Sequence, residues 1–142
     1  MRSGGAATDI PLVVLINEGS ASSAEILAGA LQDQKRAKLI GETTFGTGTV
    51  LQPYTLKDGS AIMLGTKQWL TANGRLIRKH GIEPDILLDL PIEADLLTPA
   101  EIKELTLEDV LASEDKQLVK ALEELQAIPP QPEAATEKEP SN

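Results

Sequence analysis

The chain has 142 residues, of which 41% are hydrophobic and 2% aromatic, and its formal net charge is −9 at pH 7. It contains no cysteine and one histidine, which excludes disulfides, thiolate metal sites, cysteine nucleophiles and multi-histidine metal sites. The sequence also shows no basic patch of the kind that binds nucleic acid, and no apolar run of the roughly 18 residues that predict a membrane span.

Apolar periodicity predicts a mixed α/β body. Residues 11–16 are apolar on both faces, which is typical of a buried, central strand of a parallel sheet. A helix follows the serine-rich segment, and residues 37–41 form the next predicted strand, so residues 11–41 are interpreted as one right-handed β-α-β unit. Further strands are predicted at residues 50–56, 61–70 and 86–88, the first two joined by an Asp-Gly turn at residues 57–60.

The pattern changes to helices from Thr98. Thr98, Pro99 and Glu101 have the order of a capping box with a proline in the first turn, and Ser113 is predicted to cap the final helix. The whole excess of acidic residues lies in residues 91–142, which indicates a solvated outer face for these helices. Residues 129–142 are too polar and proline-rich to bury a core, which predicts disorder.

The stretch GSASSAEILAGALQD, residues 19–33, places three serines at a predicted helix start. Ser22 and Glu25 have the spacing of a capping box, which is a purely structural role. The same serines follow a strand at its carboxyl end, where α/β sheets gather functional sites, so a nucleophilic serine is the alternative. The G-x-S-x-G nucleophile elbow is absent, and the glycine-rich segment 43–50 contains no Walker motif.

Four segments in a fixed order carry a resemblance to a known family. They are INEGSASSAEILAGALQDQKRAKLIGETTFGTG (16–48), LKDGSAIML (56–64), TANGRLI (71–77) and GIEPDI (81–86). Together they resemble the catalytic domain of the carboxyl-terminal processing peptidases, also called tail-specific proteases. The resemblance implies a serine endopeptidase with a crotonase/ClpP-like mixed sheet, no cofactor or metal, and substrates that are proteins or peptides with exposed C-terminal tails.

The family pattern is carried over residue by residue. The family's nucleophile falls on Ser22, and its general-base lysine falls on Thr47, at the same spacing from the serine as in the family. Ser23 replaces the usual alanine whose backbone amide helps to form the oxyanion hole. The family's assisting glutamine falls on Leu51, with Gln52 next to it on the opposite strand face. Because threonine is no useful base at pH 7, the sequence predicts weak or lost peptidase activity.

Another base could replace the missing lysine. Lys67, in the strand after the hairpin turn, is the first candidate, and Lys35 and Lys38 near the helix end are poorer ones. His80, in the basic loop at residues 78–81, is the remaining candidate. A solvated surface role is the alternative for each of these side chains, and loss of the base without replacement is equally compatible with the sequence.

The resemblance divides the chain into a truncated lead-in (1–10), a partial peptidase domain (11–90), an acidic helical segment (91–128) and a disordered tail (129–142). Family members carry an upstream half of the domain, so membrane association is expected only through such missing regions, and an extracytoplasmic location is expected from the family alone. Two alternative functions stay open. One is a non-catalytic relative that binds extended C-terminal tails by strand addition, and the other is a different binding role on the same fold.

Overall fold

The computed structural model describes residues 9–91 and 93–126. Its strands are β1 (Val13–Ile16), β2 (Lys38–Gly41), β3 (Thr49–Thr55), β4 (Ala61–Gln68) and β5 (Ile86–Leu87). Its helices are α1 (Ser23–Asp33), α2 (Pro99–Ile102), α3 (Leu107–Ala112) and α4 (Lys116–Glu124). The mixed α/β class predicted from the sequence is therefore confirmed, and the disordered tail predicted at 129–142 lies outside the described residues.

A three-stranded parallel sheet with the order β1-β2-β5 organises the body. Val13 lies opposite Lys38 and Ile16 opposite Gly41, so the predicted β-α-β unit is confirmed. The prediction that the first strand is central is wrong for the described sheet. The central position belongs to β2, because the chain returns after β3 and β4 to form β5, which pairs with the free side of β2.

The core lies between α1 and this sheet. Ile16, Leu39, Ile77 and Ile82 form it together with Ala28 of the helix, and three of the four large side chains are at most 1% exposed. A Cβ on Gly29 would lie 2.9 Å from Cγ2 of Thr71 and 3.0 Å from Cδ1 of Ile82. The small residues of α1 therefore let the helix pack closely.

The β3–β4 hairpin projects from this body. It is an antiparallel ladder that runs from Thr49 opposite Gln68 to Thr55 opposite Ala61, with a register shift between Val50 and Leu51. The predicted Asp-Gly turn closes it, where the Asp58 carboxylate accepts hydrogen bonds from the amide and hydroxyl of Ser60. Every residue from 51 to 70 is exposed, so this ladder contributes little to the core.

The C-terminal helices cover the sheet through α4, which contacts β1 and β2. The predicted capping box at Thr98 and Glu101 is confirmed. Ser113 does not cap the final helix: it ends α3, where its hydroxyl donates to the carbonyl of Val110, and Asp115 caps α4 instead. None of the helices in the described ranges combines the length and the apolar character of a membrane span.

Candidate active site

Ser22 has an unusual backbone at the junction between strand β1 and helix α1. Its φ of 59° and ψ of −118° lie in a region that residues with a side chain seldom adopt, at a cost of about 1–3 kcal/mol. Such strain persists only where surrounding contacts impose it, and it clusters at functional sites. The serine side chain is exposed at this turn, immediately before the first residue of α1.

The Glu25 carboxylate imposes this geometry. It is fully buried, and its oxygens accept from the Ser22 amide at 2.8 Å, the Thr44 hydroxyl at 2.7 Å, and the amides of Gly46 at 2.6 Å and Thr47 at 2.9 Å. Both contacts of the predicted capping box are thus present. The Ser22 side chain faces the Glu25 amide, although its hydroxyl makes no regular capping hydrogen bond.

The ionisation of Glu25 follows from these contacts. Burial alone raises the pKa of the carboxyl, but the hydrogen bonds from Thr44 and from the amides of Gly46, Ser22 and Thr47 outweigh it. The pKa is therefore held below its usual value, and the group is a carboxylate at neutral pH. The fixed negative charge lies beneath the start of α1, where the helix dipole also favours it.

Glu25 also brings together the two positions that the sequence singles out. The amides of Ser22 and Thr47 donate to the same oxygen, Oε2, so both nitrogens lie within hydrogen-bonding distance of one atom. The amide of Phe45 donates to the Ser20 carbonyl at 3.0 Å and draws the glycine-rich loop, residues 42–48, along the serine segment. The sequence indicates only a capping role for Glu25, because its partners at 44–47 follow β2, well away from Glu25 along the chain.

The loop needs its glycines to lie in this place. Gly46 and Gly48 have φ values of 82° and 47°, in the left-handed region. A Cβ on Gly48 would lie 2.4 Å from the backbone nitrogen of Arg78, and one on Gly46 would lie 3.0 Å from that of Gly81. The backbone of the segment 77–82 therefore packs directly against the backbone of the loop and supports it.

The candidate replacement bases are scattered. Lys35 and Lys38 lie beyond the C-terminal end of α1, a helix of 11 residues and thus about 16 Å long, whereas Ser22 lies at its start. Lys38 is paired there with Glu124 at 2.6 Å. Lys67 lies opposite Val50 on the exposed hairpin, and His80 lies in the segment that supports the glycine-rich loop.

The remaining predicted site residues have plain surroundings. Ser23 is the first residue of α1, so its amide has no partner within the helix and is oriented like the other free amides of a helix start. Leu51 and Gln52 are consecutive, exposed residues of β3, which place their side chains on opposite faces as expected. No group of three or more His, Asp or Glu that could hold a metal ion occurs in the described part of the chain.

A cavity of about 590 Å³ lies at the carboxyl ends of the parallel strands. It is bordered by the acidic residues Glu18, Glu42 and Asp89, and by the turn residue Asn17. The Asn17 side chain accepts from the Gly19 amide at 3.0 Å, which shapes the turn that leads to the serines. The cavity thus occupies the position at which sheets of this kind place binding sites.

Comparison with known proteins identifies the family of this arrangement. The family model for peptidase family S41 matches residues 2–88. Over 86 residues the chain is 50% identical to the carboxy-terminal processing protease CtpA of Bacillus subtilis, covering 61% of this chain and 18% of that protein. It is 46% identical over 102 residues to the carboxyl-terminal-processing protease of Synechocystis sp., covering 70% of this chain and 24% of the relative.

A solved structure agrees with the sequence relatives. The photosystem II D1 C-terminal processing protease matches with a TM-score of 0.53 and 46% identity, over 57% of this chain and 22% of that one. This chain therefore spans less than a quarter of the length of these relatives. The family match covers well over half of the chain and includes both Ser22 and Thr47, and so the chain belongs to peptidase family S41.

Proposed function

We propose that the chain supplies the nucleophile segment of a serine endopeptidase that processes the C-terminal regions of protein substrates. Ser22 is the nucleophile, and the amides at the start of α1, including that of Ser23, stabilise the oxyanion. The observation that carries this proposal is the strained Ser22 backbone, which the buried Glu25 carboxylate ties to the loop that bears Thr47. A serine placed at a strand-to-helix turn presents its hydroxyl to a substrate while the helix start faces the developing charge.

The reaction needs a base that this segment lacks. Each oxyanion donor is worth about 3 kcal/mol, and these donors remain. A serine without a base attacks poorly, because its hydroxyl proton has no acceptor, and the expected loss is roughly three to six orders of magnitude in turnover. We therefore propose weak activity, with Thr47 at the position of the family's lysine. Among the described residues, none of the candidate bases hydrogen-bonds to Ser22 or Glu25.

The finer expectations from the resemblance are part of the same proposal. The β1-β2-β5 sheet with α1 is compatible with the crotonase/ClpP-like arrangement, which we propose for the complete domain. We also propose residues 11–90 as the peptidase part, residues 91–128 as an appended helical segment, exposed C-terminal tails as substrates, and an extracytoplasmic location. These follow from the kinship with processing proteases.

Covalent labelling tests the nucleophile. A serine-directed fluorophosphonate is expected to label the intact protein at Ser22 slowly, because the base is missing, and faster in Thr47→Lys; mass spectrometry of the peptides locates the label. Ser22→Ala removes the label, whereas Ser23→Ala, the matched control at the next position, keeps it because only the backbone amide of Ser23 is used. Labelling that survives in Ser22→Ala, or no labelling of the unaltered protein, contradicts the proposal.

A second candidate function is peptide binding without cleavage. It is favoured by Thr47 in place of a lysine and by the β3–β4 hairpin, whose strands each pair on one side only among the described residues. Such an edge can accept an extended peptide as a further strand. Binding of a C-terminal tail peptide by a protein whose Ser22 stays unlabelled would favour this function over the first.

A further inference from the structure

A basic cleft lies next to the glycine-rich loop. It has a volume of about 300 Å³ and is lined by Gln68, Leu76, Arg78, Lys79 and His80. We call these five residues the basic cleft. It is separate from the acidic cavity of Glu18, Glu42 and Asp89, with which it shares no residue.

The backbone of the basic cleft is fixed in place. The Lys79 amide donates to the Gly46 carbonyl at 2.9 Å, and the amides of His80 and Gly81 donate to the Ile77 carbonyl at 3.1 and 2.8 Å. Lys79 itself has a φ of 64°, in the left-handed region. A segment held in this way loses little conformational freedom when it binds a ligand.

The charges of the basic cleft are uncompensated. Arg78 and Lys79 are basic side chains, and neither takes part in an ion pair among the described residues. Among the described residues Arg75 pairs with Asp33 and Lys38 with Glu124, whereas exposed lysines such as Lys57 have no ion pair. What distinguishes Arg78 and Lys79 is that two consecutive basic residues line the same cleft.

The groups of the cleft fit one ligand chemistry. An Arg guanidinium can bind a carboxylate through two parallel hydrogen bonds, and a Lys ammonium adds a point charge beside it. The Gln68 side-chain amide can donate a further hydrogen bond, and Leu76 offers an apolar wall to an adjoining alkyl group. Because the amide of Lys79 is hydrogen-bonded directly to Gly46, a bound carboxylate would lie next to the loop that carries Thr47.

We propose that the basic cleft binds a carboxylate carried by a peptide, either an acidic side chain or a free C-terminus. That the ligand is a peptide rests on the proposed function, whereas the preference for a carboxylate rests on the residues of the cleft alone. The cleft then holds an acidic group of the bound chain at a fixed place relative to the glycine-rich loop, and so selects among peptides.

Isothermal titration calorimetry with three unlabelled peptides tests the proposal. The first is acetyl-Ala-Leu-Ala-Ala-Leu-Ala with a free C-terminus, the second is acetyl-Ala-Leu-Ala-Glu-Leu-Ala amide, and the third is the uncharged amide of the first. We expect one or both of the acidic peptides to bind at least about tenfold more tightly than the uncharged one, and the tighter of them identifies the source of the carboxylate.

Matched variants assign the binding to the cleft. Arg78→Gln/Lys79→Gln is expected to abolish the preference for acidic peptides, while Lys57→Gln/Lys103→Gln, which removes the same charge from two exposed positions, keeps it. Equal affinity for the acidic and uncharged peptides overturns the proposal, and so does a preference that survives in the cleft variant. Inorganic phosphate that binds as tightly as the acidic peptides would also overturn it.

The outcome is separable from that of the proposed function. Fluorophosphonate labelling of Ser22 needs no peptide carboxylate, so the cleft variant is expected to label like the unaltered protein. If labelling fails in both proteins, the peptidase proposal fails, while the three titrations still decide the ligand of the cleft.

Discussion

Two regions of the molecule are stabilised in opposite ways. One is the β1–α1–β2 unit with its glycine-rich loop, and the other is the β3–β4 hairpin. In the first, Glu25 is fully buried with four donors around it, and Leu39 and Ile40 of β2 are completely buried. In the hairpin, large apolar side chains such as Leu51 and Met63 are more than half exposed, and the strands are joined mainly by their backbone ladder. The geometry around Ser22 therefore depends on the first region, and the hairpin can change without disturbing it.

Removal of the Glu25 carboxylate is expected to give the largest difference between the two regions. Glu25→Ala leaves four donors without their acceptor and is expected to lower the free energy of unfolding by about 4 kcal/mol. Urea unfolding followed by circular dichroism measures the loss. Glu18→Ala, which alters an exposed glutamate in the turn before the serines, is the matched control and should change the free energy by no more than about 0.5 kcal/mol. Equal effects of the two substitutions would refute the central role of Glu25.

Two glycines with similar φ values compare the regions directly. Gly81 has a φ of 71°, and a Cβ there would lie 2.2 Å from the Thr44 carbonyl oxygen, whereas Gly59 in the hairpin turn has a φ of 87° and nothing within 4 Å. Gly81→Ala is expected to cost roughly 3 kcal/mol, from left-handed strain plus steric overlap. Gly59→Ala carries the strain alone, about 1 kcal/mol. Thermal unfolding of both variants should show this order, and the reverse order would contradict the described packing.

A lysine at position 47 tests the proposed pairing of Ser22 with the position of Thr47. Thr47→Lys is expected to raise the peptidase activity of the intact protein more than about tenfold, because an amine near the serine can accept its proton. Hydrolysis of a tail peptide measures it. The matched control is the reverse substitution at a lysine of the hairpin. Lys67→Thr should leave the activity unchanged. Unaltered activity in Thr47→Lys, or loss of activity in Lys67→Thr, would mean that another base already operates.

Acid should weaken the first region more than the hairpin. Because the pKa of Glu25 in the folded chain lies below its ordinary value of 4.5, this carboxylate contributes stability above that pH, and the contribution is lost as the pH falls through the folded pKa. Urea midpoints between about pH 7 and about pH 3.5 should decline less steeply in Glu25→Gln than in the unaltered protein. Asp58→Asn, in the exposed turn of the hairpin, is expected to change the slope less.

The sequence predicts the local parts of this structure and misses the distant ones. The β-α-β unit, the hairpin turn and the Thr98 cap follow from apolar spacing and turn residues, each within a few neighbouring positions. The edge position of β1 depends on the pairing of β5, and the partners of Glu25 follow β2 along the chain. Neither can be inferred from a short stretch of neighbouring residues. Ser113 and Asp115 are both good caps, and the choice between them depends on where α3 ends.

The Glu25 carboxylate has a consequence for local opening of the chain. The amides of Ser22, Gly46 and Thr47 all donate to this one side chain, although they belong to two segments. None of the three can exchange with solvent unless that carboxylate moves away. Their hydrogen-exchange rates should therefore be slow together and should rise together, which makes the helix start and the loop one cooperative unit of the fold.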